Sequence, residues 1–486
     1  MRKRFEQQIS LGQTPISEVK IMTKTRDALP ALLHALQKLF ITQEYNEKLF
    51  SILEDKILKG KKQTGRPGMD LWWIFVLAEV RLCCDLSYDR LHYMANYDSM
   101  LRKIMGVEVN YGMPEKEFGY QNILDNVSLL DDQTVRQINE VIVSFGHEVF
   151  KKKDEAALRL KTDSYVFESN VHFPTDYNLL WDSARKCLDV KKYFIKKHKI
   201  KGWGKMKSWG KDLKGLMRAV GKASSSGGKN KYDRQYEAAS KYTEKASALL
   251  VKVVESKSDL PINNPMDFSQ IIALEYYIKM LEKHIDLVDR RLLQGEMIPH
   301  EEKIFSIFET YTEWIKKGKL HPNVELGKKV LLTTDQYNLM LDYQVMDGLA
   351  DNEAVEELAD RILKKHRAHS WSFDKGFSSK NNKELLKKGV QQVIMPKKGK
   401  CNKAEKVEES TSLFKKLKNQ HSAIESNINE LEHRGLNRCP DRGYDNFKRY
   451  VGLGVCAYNL KKIGKELIEI AKEKEIQKRK HLPMCA

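Results

Sequence analysis

Two aspartates in this chain occupy the same kind of setting. Asp163 closes the stretch Ala157-Leu158-Arg159-Leu160-Lys161-Thr162, and Asp374 closes Ser370-Trp371-Ser372-Phe373. Both stretches are short and partly alternating, the pattern of a strand. Each aspartate is followed by small or turn-forming residues, Ser164 in one case and Lys375-Gly376 in the other. A carboxylate at the C-terminal end of a strand projects from the rim of a sheet, where open α/β sheets place their sites. A third acid, Glu425, lies in His421-Ser422-Ala423-Ile424-Glu425-Ser426-Asn427, within a helical stretch that follows the last predicted strand. Taken singly, each has an ordinary alternative as a helix cap or turn residue. Together they suit phosphodiester chemistry. Two divalent ions about 3.5–4 Å apart serve both the attacking and the leaving oxygen of an in-line displacement. Magnesium takes oxygen ligands and keeps several waters, so two aspartates and one glutamate suffice to hold it. Water or a DNA 3′-OH can be the nucleophile, so one such site can cut and join.

The elements that must position these acids follow from periodicity. Residues 28–58 carry Leu29, Leu32, Leu33, Leu36, Leu39 and Phe40 at helical spacing. The Lys-, Gly- and Pro-rich stretch 59–68 reads as an exposed linker. Its Gly65-Arg66-Pro67 could lie in a minor groove, as short basic arms do, or be a solvated loop. Residues 70–105 read as two helices, with Asp70 capping the first and Asp85 or Ser87 the second. Tyr120–Leu130 and Asp131–Phe150 read as a further pair, compatible with a helix-turn-helix reader and equally with a plain bundle. After the Asp163 strand, Ser164–His172 is expected to turn and continue extended. From about 185 to 320 the pattern is helical, with long amphipathic stretches at Tyr236–Lys257, Met266–Leu293 and Pro299–Lys317. Lys328–Thr334 and Leu339–Val345, joined by a polar turn at Asp335-Gln336, predict a β-hairpin. Helices at Glu353–Lys365, Asn381–Lys388, Ser412–His433 and Phe447–Lys474 alternate with strands at Ser370–Asp374 and Val390–Met395. This order predicts a mixed sheet with helices packed on it.

Composition narrows the partners. The chain has 486 residues, enough for more than one core. It carries 85 Lys and Arg against 66 Asp and Glu, a net charge of +19. Such a surplus favours a polyanion, nucleic acid or an acidic membrane. The most apolar stretch, Met69–Leu82, is too short to span a bilayer and contains Asp70 and Glu79. The N-terminus lacks the apolar run of a secretory signal. The seven cysteines form no CxxC pair, which argues against a zinc module or a disulfide framework and for reduced thiols in a cytoplasmic protein. Nucleic acid is therefore the favoured partner, with no membrane. No Walker pattern points to ATP. Lys191–Arg234 holds 15 Lys or Arg against only Asp212 and Asp233. Lysines there suit the DNA backbone, while the interleaved Trp203 and Trp209 read better as packing residues. His172, His321 and His421 form no metal-spaced set. Asp176, Asp182, Asp342 and Asp347 are further acids near the expected rim, with Asp342 a candidate supporting residue.

At these acids the sequence resembles the bacterial DDE insertion-sequence transposases, closest to the ISNCY-like group. KTDSYVFESNVHFPTDYNLLWD (161–182) is similar to the first-Asp block of that family, SWSFDKGFSSKNNKELL (370–386) to the second, and HSAIESNINELEHRGLNRCPDRG (421–443) to the Glu block. Residues 304–330 and VIMPKKGK (393–400) also resemble family segments, and the likeness runs through most of 70–465. It implies an RNase H-like catalytic fold and makes Asp163, Asp374 and Glu425 the catalytic metal ligands. The metal would be Mg²⁺ as two ions, with Mn²⁺ able to substitute. Double-stranded DNA, as transposon ends and target, would be the substrate. A dimer or higher oligomer on DNA and a bacterial nucleoid location are implied as well. Many relatives place Tyr, Arg and Lys around the glutamate where this chain has Lys418, His421 and Glu432.

The resulting expectation is an α+β, mixed architecture. Residues 1–150 form a helical DNA-binding region. Residues 151–184 and 321–465 form two parts of an RNase H-like domain, interrupted by a basic helical insertion at 185–320. Residues 466–486 form a basic tail. DNA contacts are expected from Lys191, Lys192, Lys196, Lys197, Lys199, Lys201, Lys205, Lys207, Lys397, Lys398, Lys418 and His421. A transposase that cleaves DNA and transfers strands is the first reading. A non-catalytic DNA-binding descendant and a purely hydrolytic RNase H-like nuclease are the alternatives.

Overall fold

A computed structural model describes residues 2, 4–5, 14–60, 68–107, 116–152, 157–203, 206–316 and 323–480. Gly65-Arg66-Pro67, Lys205 and His321 lie outside the described residues, as do the side chains of the basic tail from 478 onward. The elements in order are α1 (Ala28–Ile41), α2 (Gln43–Ile57), α3 (Leu71–Cys83), α4 (Tyr88–Tyr97), α5 (Ser99–Met105), α6 (Tyr120–Val127), α7 (Asp132–Val149) and β1 (Leu158–Glu168). Next come α8 (Asp176–His198), α9 (Met206–Ser225), α10 (Lys231–Glu255) and α11 (Pro265–Val288). The chain ends with β2 (Glu313–Lys316), β3 (Val324–Thr334), β4 (Met340–Val345), α12 (Val355–Leu363), β5 (Ala368–Phe373), α13 (Lys380–Lys387), β6 (Val390–Ile394), α14 (Lys403–Ser410), α15 (Ser412–Leu431) and α16 (Tyr444–Lys480). The chain divides into two compact units: Met1–Asn170 with Ile315–Ala486, and Val171–Trp314.

In the first unit the strands form one mixed sheet in the order β2-β3-β1-β5-β6, with β4 also paired to β3. β3 runs antiparallel to β1 and to β4, whereas β5 is parallel to β1 and to β6. This mixed sheet with helices on it is the expected α+β architecture and is consistent with an RNase H-like domain. The β3–β4 hairpin forms as its sequence predicts. Asp335 Oδ1 accepts hydrogen bonds from the backbone N–H groups of Tyr337 and Leu339 at 2.8 and 3.0 Å, and Asn338 takes the left-handed conformation that asparagine tolerates.

The N-terminal helices belong to this same unit. Every residue of α3 is buried, including Glu79 and Arg81. α16 packs on α1, α3 and α7. At Gly464 the approach is so close that a Cβ would lie 1.7 Å from the Ala31 carbonyl oxygen, so only glycine fits. Caps set the helix starts: Asp27 accepts from Leu29 N, Ser87 from Arg90 N, and Asp131 from Thr134 N. Asp98 also caps, accepting from Leu101 N. It thereby divides the expected second helix of 70–105 into α4 and α5.

Two further sequence expectations differ from the fold. Ser164–His172 does not turn. β1 continues to Glu168 because β3 pairs with it from Lys161 to Glu168, a non-local ladder that local pattern cannot reveal. Pro299–Lys317 is not a long helix. It holds a short 3₁₀ turn at His300–Glu302 and then β2. Ser306 Oγ accepts from the N–H groups of Phe308 and Glu309, a side-chain turn that competes with helix propagation.

The second unit is helical through α11. Leu180, Ala184, Leu188, Leu213, Val220, Tyr242, Leu249, Leu274 and Leu281 meet in its core. Trp203 is buried in this core and Trp209 packs against it, as packing residues do.

Candidate active site

Register places the two aspartates side by side. The parallel pairing of β1 with β5 ends at Thr162↔Phe373, so Asp163 and Asp374 are the next residues on adjacent strands. Asp163 is not at the end of its strand, since β3 still pairs with it through Leu332. It stands instead where the ladder to β5 runs out, and Asp374 is where β5 itself stops.

Strand alternation assigns the faces. Leu158, Leu160, Trp371 and Phe373 enter an apolar cluster with Leu331, Leu358, Ile362 and Leu386. Thr162 shares their face, and its Oγ1 accepts from Trp371 Nε1 at 2.8 Å. Asp163 and Lys161 on β1, and Ser372 and Asp374 after it on β5, belong by alternation to the opposite face. α15 packs against β1, β5 and β6. Its buried positions, Phe414, Leu417, His421, Ile424, Ile428 and Leu431, recur at helical spacing. His421 fixes the register, with its Nδ1 3.0 Å from Ser372 Oγ in a buried hydrogen bond. One helical turn further on, Glu425 falls on the exposed edge of this stripe, in the region of the strand rim.

The Asp163 carboxyl lies in the field of the other acids. Burial raises the Asp163 carboxyl to about 7, and the nearby negative charges of Asp374, Glu425 and Asp351 push in the same direction. The Ser164 N–H, donating to Asp163 Oδ1 at 2.8 Å, opposes the shift. Asp374 and Glu425 are exposed, and among the described residues neither carboxylate has a hydrogen-bond or ion-pair partner. Burial lowers the His421 imidazole, partly offset by Asp374.

Among the described residues no three carboxylate, imidazole or thiol groups close around a single point. The donor set nonetheless fits a hard divalent cation. It is all oxygen, the ligand type such ions take, and among the described residues Asp374 and Glu425 have no competing ion-pair partner. Asp163, Asp374 and Glu425 are the candidates that could hold such an ion.

Asp351 is a neighbour that sequence reasoning missed. Its Oδ1 accepts from Ser164 Oγ at 3.0 Å and pairs with Lys329 Nζ at 3.1 Å. A Cβ at Gly376 would lie 3.0 Å from its Oδ2. Asp351 stands in a loop before α12, with no strand pattern to single it out. The other acids noted from sequence are engaged elsewhere: Asp176 with Arg291, Asp182 with His172 and Arg185, Asp342 with Arg361, and Asp347 with Lys328 and Tyr444.

The predicted DNA contacts divide. Lys191 is wholly buried, donating to Ser256 O and Oγ at 3.0 and 2.8 Å, and burial lowers its ammonium to about 8. It offers no exposed charge. Lys197 is held by Asp267 and Lys397 by Glu405. Lys192, Lys196, Lys199, Lys201, Lys207, Lys398 and Lys418 are exposed, and His421 is buried.

Residues 295–460 match the family model described as the transposase DDE domain. The match includes Asp374 and Glu425 and leaves Asp163 outside. It speaks to the DDE family and not to an ISNCY-like subgroup within it. No curated protein and no solved structure matches the chain. Among the described residues no helix is long and apolar enough to cross a membrane.

Proposed function

We propose, from the match of residues 295–460 to the transposase DDE domain, that this chain is a DDE transposase that cleaves transposon ends and transfers strands at a site formed by Asp163, Asp374 and Glu425. Transposases act on DNA, and the family in general uses divalent metal. The finer reading is ours: two Mg²⁺ ions, with Mn²⁺ as a substitute, held by these three carboxylates. The observation that carries it is the adjacency of Asp163 and Asp374 at the end of the β1–β5 ladder, with Glu425 brought over by α15.

The chain's own groups have separable tasks. Ser164 N–H orients the Asp163 carboxylate. Ser372 and His421 hold α15 in register, so that Glu425 stays opposite the strand rim. Asp351, tied to Lys329 and Ser164, braces the loop beside Gly376. In the metal-free state a proton resides on Asp163 up to about pH 7. When bound, divalent ions would activate the nucleophile and stabilise the leaving oxygen. In hydrolysis the oxygen of water forms a bond to phosphorus while the phosphorus–3′-oxygen bond breaks. In strand transfer a DNA 3′-OH takes the place of water: its oxygen bonds to a target phosphorus, the target's phosphorus–3′-oxygen bond breaks, and the proton it gives to solvent is matched by one taken up by the released 3′-oxygen.

We further propose that residues 1–150 read the terminal repeats, that the helical insertion adds DNA contacts, and that two or more copies pair the ends on DNA. The deciding experiment is cleavage of a labelled duplex carrying the element's own terminus, with Mg²⁺, by wild type and Asp374→Asn. Cutting by wild type alone supports the reading. Equal cutting by both refutes the assignment. Shifted but uncut DNA with both proteins favours the binding-only alternative.

A further inference from the structure

The structure assigns a second, non-catalytic DNA-binding surface to one face of α9. Its Lys207, Lys211, Lys214, Arg218 and Lys222 are spaced by four, three, four and four residues. At about 100° per residue these positions fall in a single stripe, about 22 Å long at about 1.5 Å per residue. All five are exposed, and among the described residues none has an ion-pair partner.

Several other cations of this unit are paired, whereas Lys192, Lys196, Lys199 and Lys201 are exposed and, among the described residues, have no ion-pair partner either. Lys197 pairs with Asp267, Lys241 with Glu237, Lys245 with Asp212, and Lys257 with Glu275. Arg290 engages three carboxylates. Asp212, the one acid within α9, lies off the stripe and is occupied by Lys245 and Ser208. Consecutive like charges at this spacing weaken a helix, so a bare row of five costs stability that an external polyanion would recover.

The shape of the helix selects the partner. An amphipathic helix that binds membranes must offer its apolar face to lipid. The apolar face of α9 is already spent: Leu213 and Val220 are buried in the unit's core, Leu216 and Met217 pack against it, and Ala223 is buried as well. What remains outside is charge, flanked by the small exposed residues Ser208, Gly215 and Ala219, which let a polyanion lie close. A straight row of cations of this length matches a duplex backbone, whose charge density is about one per 1.7 Å of axis. The contact reads no base sequence, since lysines on phosphates position without specifying. The surface rests on the reading of this chain as a DNA-acting protein, but not on the three carboxylates.

The test is fluorescence anisotropy of a labelled duplex of arbitrary sequence with the full chain in EDTA, titrated with salt. The variant is Lys211→Gln/Lys214→Gln/Arg218→Gln, and the control is Lys241→Gln/Lys257→Gln, which removes paired cations from the same unit. Each phosphate contact contributes about 0.9 to the slope of log affinity against log salt. The α9 variant is expected to lose about 2–3 from that slope and at least about tenfold in affinity near 0.1 M salt, with an unchanged circular dichroism spectrum. The control is expected to keep the wild-type slope. An α9 variant with the wild-type slope and affinity overturns the proposal while leaving the transposase reading intact. Binding of phosphatidylserine vesicles through α9, with no change in duplex affinity, overturns it in favour of a membrane. Failure of wild type to bind any duplex removes the DNA-acting reading itself.

Discussion

Replacing Asp163 by asparagine should make the metal-free protein more stable. The carboxyl is raised from its ordinary 3.8 to about 7, first by burial and then by Asp374, Glu425 and Asp351. The unfolded chain releases this proton near 3.8, whereas the fold retains it to about 7. The stability associated with the neutral form is therefore complete below about pH 4 and is lost as pH rises through 7. The full displacement corresponds to about 4 kcal/mol by about pH 8. Asparagine retains an oxygen for the Ser164 N–H but remains a partly buried polar group, so a gain of about 2–4 kcal/mol is expected. The assay is urea unfolding in EDTA at about pH 5 and pH 8, followed by tryptophan fluorescence, since Trp371 is buried in the same sheet. Wild type should lose stability between the two conditions and Asp163→Asn should lose much less. An identical pH dependence in both proteins, or an asparagine variant that is weaker at pH 8, would refute the claim that crowded acids strain this rim.

Other consequences concern the helical part of the first unit and the placement of α15. Glu79 is fully buried, neither carboxyl oxygen has a partner, and burial raises its carboxyl well above the ordinary range. Glu79→Met should stabilise the fold by about 1–3 kcal/mol, with the gain growing above about pH 4.5 as the unfolded chain's glutamate ionises; thermal melts across pH would show it. Arg81 is buried and forks onto Asp441 at 2.6 and 3.0 Å beneath Tyr88. Arg81→Met should cost about 3–5 kcal/mol by stranding the aspartate, and adding Asp441→Asn should recover part of the loss in the same denaturation experiment. Ser372→Ala removes the partner of His421 and should cost about 1 kcal/mol. It should also slow terminus cleavage with little change in DNA affinity, a split that kinetic and binding assays separate.

The strand end at Asp374 was legible because local pattern and register agreed. Phe373 and Trp371 alternate with serines up to Asp374, and the strand does stop there. The hairpin was equally plain, since Asp335 and Asn338 are the residues such a turn needs. What escaped was non-local. β1 runs past Asp163 only because β3 lies beside it. Asp351 is drawn to the site by Ser164 and Lys329, neither of which is near it in sequence. Lys191 looks like any surface lysine until α10 brings Ser256 over it. The basic block at 191–234 was visible as composition, but only the fold shows that Lys191 is buried and Lys197 paired while the row on α9 stands open.

The central claim is that Asp163, Asp374 and Glu425 form one divalent-metal site, and calorimetric titration of Mn²⁺ into metal-free protein tests it without DNA. The account predicts that wild type binds and that Asp163→Asn, Asp374→Asn and Glu425→Gln each lose at least about tenfold in affinity, since each removes a ligand whose charge the other two cannot replace. Absence of binding in wild type, or any one variant binding as wild type does, would contradict it.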